Sequence, residues 1–151
     1  MKSTQTTLTT ILALLSLVVG PVASAGTGNA AGYFVIRDGN CTLSTAGDIC
    51  ANNFTLPTHT ILSDTSIISF YLNCADDGSG IKFDLDVLIN GTSVRTFSNI
   101  NTGVGRVVQE AVGGGPLVSG SNLLQIVASG DDDGNCTTSD VVLTYRLSTV
   151  P

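Results

Sequence analysis

Between Ile81 and Ile89 apolar and charged residues alternate one by one: Phe83, Leu85, Val87 and Ile89 fall on one side, Lys82, Asp84 and Asp86 on the other. A period of two belongs to a β-strand with one face buried, because successive side chains leave a pleated backbone on opposite faces. The same period runs through residues 66–73, with Ile68, Phe70 and Leu72 on one face, and through 140–147, with Val141, Leu143, Tyr145 and Leu147. Residues 33–37, 92–98, 105–112 and 122–129 read as further strands, and Pro57 precedes a short one expected at 58–62. Helical periodicity is absent beyond the first 25 residues. Asn90-Gly91 joins two of the strands as a tight hairpin turn. Gly113-Gly114-Gly115-Pro116 reads as a loop, since three glycines pack nothing and proline lacks a ladder donor.

Seven to eight short strands with no crossover helix predict an all-β fold, an antiparallel β-sandwich of jelly-roll-like type. Following the chain up and down places residues 75–80, 99–103 and 130–139 at one end, and pairing the first strand with the last adds Asp38 to that end. Asp76, Asp77, Asp131, Asp132 and Asp133 then converge there. Clustered carboxylates in Gly- and Asn-rich loops are the donors Ca²⁺ takes, although the EF-hand spacing is not met. Ca²⁺ is therefore the candidate cofactor, none being required; solvation of the turns is the competing reading of the same residues.

The first 25 residues differ from the rest. Lys2, an apolar run from Ile11 to Val19 broken only by Ser16, and Ala23-Ser24-Ala25 form a secretory leader with cleavage expected after Ala25. The run is too short for a membrane span, which needs about twenty residues. Residues 26–32 are expected to form a flexible segment and 33–151 one domain, secreted or periplasmic. Of 151 residues 12% are charged, the net charge is −6, and no basic cluster occurs, which disfavours nucleic acid and anionic membranes as partners. The four cysteines Cys41, Cys50, Cys74 and Cys136 predict two disulfides in an oxidising compartment. Cys74 with Cys136 and Cys41 with Cys50 is the first pairing considered. The string Asp-Gly-Asn-Cys-Thr, present at 38–42 and again at 133–137, suggests Cys41 with Cys136 as the second. No C-x-x-C pair supports zinc.

Catalytic constellations are thin. A nucleophilic triad needs a base, and the one histidine, His59, stands beside a proline as a surface or edge residue. Asp84 and Asp86 share a strand face and Glu110 is the single glutamate, so paired carboxylates for glycoside cleavage are replaced by a charged strand face. No enzyme is expected. N-x-T sequons stand at Asn40, Asn53, Asn90 and Asn135, acceptors on surface loops in a eukaryotic secretory route.

Residues 86–94 around Asn90-Gly91, the run Gly120-Ser121-Asn122-Leu123-Leu124-Gln125-Ile126 with its approach from Leu117, and the closing segment 139–145 resemble galactose-binding-domain-like jelly rolls, which occur as carbohydrate-binding modules and accessory domains of secreted proteins. The resemblance covers the C-terminal half and implies fold before activity. Such modules stack sugars on tryptophan; this chain has none and offers Tyr33, Tyr71 and Tyr145. The expected function is a secreted non-enzymatic binding module for glycan or another cell-surface ligand at the acidic loop end. The alternative is a structural subunit of a filament, coat or surface layer, with residues 26–32 adding a strand to a neighbour in self-assembly.

Overall fold

The computed structural model describes residues 29–75, 83–100, 103, 105–129 and 135–148. Residues 1–28, which include the expected leader, and Asp76, Asp77, Asp131, Asp132 and Asp133 lie outside them. Nine strands form two antiparallel sheets: β1 (Asn29–Arg37), β2 (Cys41–Leu43), β3 (Ile49–Leu56), β4 (Ser66–Ala75), β5 (Phe83–Ile89), β6 (Thr92–Ile100), β7 (Arg106–Val112), β8 (Gly120–Ala128) and β9 (Asn135–Ser148). The first sheet has the order β1-β9-β4-β7, with β2 also paired to β9; the second has the order β3-β8-β5-β6. The expected all-β sandwich with two disulfides is the fold observed.

Alternation along each strand sends one set of side chains into the space between the sheets. Leu43, Ile68, Phe70, Leu72, Val141 and Leu143 from the first sheet meet Phe54, Leu56, Leu85, Val87, Ile89, Leu124 and Ile126 from the second. Each such side chain contributes roughly 1.5–3 kcal/mol by leaving water. Cys41 is bonded to Cys50 and Cys74 to Cys136. The first bond ties β2 to β3 across the sandwich; the second joins paired positions of β4 and β9. The repeated pentapeptide thus does not bond to itself. Its Thr42 and Thr137 are instead register partners on adjacent strands, with hydroxyl oxygens 3.4 Å apart.

Two strands escape the sequence pattern. β2 has three residues. In β3 the inward positions are Cys50, Asn52, Phe54 and Leu56, so a polar residue interrupts the apolar face. Asn52 is held there by Arg37, whose Nε donates to Asn52 Oδ1 at 2.7 Å while Nη1 donates to Thr138 Oγ1 at 3.1 Å. Burial lowers the pKa of this guanidinium. The strand expected at 58–62 is replaced by turns, with Thr60 N donating to Pro57 O and Asp64 N to Ile61 O; a single bridge joins Thr60 to Leu147. Asn29 to Gly32, expected to extend freely, pair with Ser148 to Tyr145 of β9 in the chain's own sheet.

At the end opposite Ala75 and Asn135, the Asn90-Gly91 turn and the Asn122 segment are joined to each other. Asn90 and Gly91 take φ of 52° and 77°, the left-handed pair of a type I′ turn. Asn90 Nδ2 donates to Pro116 O and to Asn122 Oδ1, both at 2.9 Å, and Asn90 Oδ1 accepts from Leu123 N at 2.8 Å. Asn122, 2% exposed, also accepts from Val118 N and donates to Val118 O and Gly120 O. The hairpin turn and the loop entering β8 are therefore one hydrogen-bonded unit.

Candidate ligand-binding face

The outer face of the first sheet is built by the residues that alternate with the core. Register partners across β1, β9, β4 and β7 form rows: Tyr33, Thr144, Ile67 and Ala111 in one, Val35, Val142, Ser69 and Gln109 in the next, and Tyr71 with Val107 beyond it. None of these positions carries a charged residue; in the adjoining row Ala31 is paired with the exposed Arg146, whose guanidinium lies 3.7 Å from Asp64. Tyr33 is 73% exposed, Val107 68% and Tyr71 40%, with Val35 and Ile67 also open to solvent. From strand spacing and rise, Tyr33 and Tyr71 stand ~10 Å apart across the sheet and ~13 Å apart along it. The face is thus a platform of two exposed aromatic rings, aliphatic ground between them, and hydroxyl and amide groups at Thr144, Ser69 and Gln109. Such a surface gives dispersion and hydrogen bonding without ion pairing.

Tyr145, the third tyrosine the sequence offered, is 6% exposed and lies over Gly32 inside the sandwich, so it takes no part. Its place in the apolar alternation of residues 141–147 already pointed inward. The same alternation turns Tyr71 and Ile67 outward. The exposure of Val107 had no comparable signal, because an edge strand with Val107 and Val108 adjacent shows no preferred face.

Ala75 and Asn135 are register partners at one end of the sandwich, as the up-and-down order predicts for these two strand ends; the aspartates expected there lie outside the described residues. Asp38 is not at this end. β2 continues the course of β1 along β9, placing Asp38 in the exposed connection beside β9 between the partners Val141 and Thr138. The turn that does reach the end carries Asp48. Gly47 N donates to Ala128 O and Ala128 N to Asp48 O, while the Asp48 carboxylate accepts from Ser44 N at 2.7 Å and Thr45 N at 3.0 Å. Those two N–H groups hold its pKa below the ordinary aspartate value. Among the described residues no group of three or more His, Cys, Asp or Glu side chains is disposed to hold a metal ion.

The residues considered for catalysis are not brought together. His59 is exposed in the β3–β4 connection. Asp86 accepts from Thr96 Oγ1 at 2.6 Å on the second sheet, whereas Glu110 lies on the first sheet 3.6 Å from Arg95. Of the sequons, Asn40, Asn53 and Asn135 are exposed, and Asn90 has both amide hydrogens engaged. Among the described residues no helix is long and apolar enough to cross a membrane.

No protein-family model matches the chain, and neither does any curated protein. Solved structures do. Dimeric latent PorU from Porphyromonas gingivalis superposes with a TM-score of 0.59 at 10% identity over 80% of this chain; the match spans only 13% of PorU. The xylan-binding module CBM15 gives 0.56 at 12% identity, covering 78% of this chain and 97% of that one. The C-terminal domain of EclA, described as a sugar-binding protein, gives 0.51 at 11% identity over 82% and 86%. At these identities the likeness establishes fold: the chain has the jelly-roll-like β-sandwich architecture shared by non-catalytic carbohydrate-binding modules.

Proposed function

We infer that this domain binds an uncharged glycan chain on the outer face of its first sheet and catalyses no reaction. The carrying observation is the pair of exposed rings, Tyr33 and Tyr71, on a surface whose rows between them bear no charge. Pyranose rings present flat C–H faces that pack on aromatic side chains, and their hydroxyls suit the Thr144, Ser69 and Gln109 groups between them. A net charge of −6 weighs against uronate or sulfated glycans, and the cation beside this area, Arg146, lies 3.7 Å from the Asp64 carboxylate. The fold shared with sugar- and xylan-binding modules supports the same class. The two disulfides support a location outside the cytoplasm, which is also what the expected leader implies.

Mobility in native gels cast with xylan, galactomannan, hydroxyethylcellulose or polygalacturonate tests this reading. The neutral polymers are expected to retard the protein, and Tyr33→Ala to reduce the retardation. Equal mobility in every gel, or retardation by polygalacturonate alone, would refute it. Self-association through the same face, the filament alternative, would instead show as a size-exclusion peak that moves with concentration and is restored to the monomer by Tyr33→Ala.

A further inference from the structure

Gly105 immediately precedes β7, and its φ does not lie in the left-handed region that favours glycine. Its lack of a side chain has a different use. A Cβ built there would stand 2.6 Å from Tyr71 Cζ and 3.3 Å from Cε2, and closer still to the hydroxyl oxygen. The hydroxyl end of the Tyr71 ring therefore occupies the volume that any other residue at position 105 would fill. The register explains the approach: Tyr71 pairs with Val107, which makes Gly105 its diagonal neighbour on the same outer face, within reach of a long aromatic side chain. The backbone here is also held in place, because Gly103 N donates to Cys74 O at 2.6 Å.

We propose that Gly105 is a positioning residue for ligand binding: by vacating the face at this point it seats the Tyr71 ring across the end of β7, in line with the platform that Tyr33 begins. The proposal rests on the reading of this face as a glycan site. A ring lying on backbone loses less rotamer freedom on binding than one standing free, so the seat raises affinity by preorganisation. Only the far end of a side chain would be displaced by a Cβ, and alanine fits the backbone conformation, so Gly105→Ala spares the fold while moving the ring.

Wild type, Tyr33→Ala, Tyr71→Ala and Gly105→Ala are compared by affinity electrophoresis in the neutral polysaccharide that retards the wild type most, together with near-ultraviolet circular dichroism and thermal melting of each. Gly105→Ala should weaken binding roughly three- to tenfold, match Tyr71→Ala in direction, alter the tyrosine dichroism and leave the melting midpoint within about 2 °C. The tyrosine bands report on three residues only, with no tryptophan to mask them. Unchanged dichroism in Gly105→Ala, or wild-type affinity despite changed dichroism, overturns the proposal. Full binding by Tyr71→Ala with loss in Tyr33→Ala also overturns it while leaving the glycan site standing. Absence of binding by the wild type removes both.

Discussion

Asn122→Ala tests the hydrogen-bonded unit that closes the non-acidic end of the sandwich. The buried Asn122 amide takes part in four hydrogen bonds, to Val118 N, Val118 O, Gly120 O and Asn90 Nδ2, each at 2.9 Å. A net value of about 0.5–1.5 kcal/mol per bond gives a loss of about 2–6 kcal/mol. Val118 is exposed, so its N–H and C=O recover water in the mutant, which places the expected loss near 3 kcal/mol. For a domain of this length that lowers the melting midpoint by about 10–15 °C. Asn122→Asp sharpens the test, because a carboxylate oxygen would face the Val118 and Gly120 carbonyls in place of an N–H donor. That carboxyl is favoured protonated in the fold, so its folded pKa is raised, and the penalty should ease as pH falls through that raised value and be gone below the unfolded value of about 4. Asn90→Gly removes the partner side chain while keeping the left-handed turn accessible. In a double-mutant cycle with Asn122→Ala it should show coupling of about 1 kcal/mol. Urea midpoints with unchanged m values supply these numbers. A loss below about 1 kcal/mol for Asn122→Ala, or additivity in the cycle, would mean that the network does not hold this end together.

Three further outcomes are expected. The secreted protein should begin at Gly26 and take up no alkylating agent without reduction; loss of the Cys74–Cys136 bond should cost about 4 kcal/mol and of Cys41–Cys50 about 3 kcal/mol by loop closure, measured as denaturant midpoints of the paired alanine variants. Asp48 has a depressed folded pKa, so its stabilisation is present above the unfolded value of about 4 and is lost as pH falls through the folded value; Asp48→Asn should flatten the acid limb of the stability curve below about pH 4, and superimposable curves would refute this. Because Ala75 and Asn135 are paired, Asp76, Asp77 and Asp131 to Asp133 are proposed as a Ca²⁺ site: tenfold excess over the dissociation constant should add about 1.4 kcal/mol, with Mg²⁺ adding less, whereas a midpoint insensitive to millimolar Ca²⁺ and to EDTA would leave solvation as their role.

What could be read from the sequence follows from how far each feature depends on local pattern. β4, β5 and β9 announce themselves through the apolar inward runs Ile68-Phe70-Leu72, Leu85-Val87-Ile89 and Val141-Leu143-Tyr145, and one buried face suffices to produce that period. β3 hides because its inward Asn52 is satisfied by Arg37, a partner 15 residues away; two adjacent asparagines read locally as a turn. The Asn90-Gly91 turn and the asparagine entering β8 were each visible as motifs, but their mutual hydrogen bonds join residues 32 apart. Tyr71 could be placed outside by alternation, yet the role of Gly105 is written only in the register of β4 against β7. Strand order predicts that Ala75 and Asn135 share one end, and they are paired; the aspartates expected beside them lie outside the described residues. Asp38 was misplaced because the break between β1 and β2 is a local irregularity along β9 and not a reversal of the chain.

β9 has a consequence for the order of folding. It supplies the hydrogen-bonding partner of β1, β2 and one side of β4, yet it follows all of them in sequence. During synthesis those earlier strands wait with open edges, and the first sheet acquires its centre only when the last of its strands leaves the ribosome. A topology dominated by such distant pairings folds slowly. With the export leader expected over the first 25 residues, such a delay would keep the polypeptide threadable until it had crossed a membrane, and the Cys74–Cys136 bond, which joins β4 to this last strand, would form only afterwards.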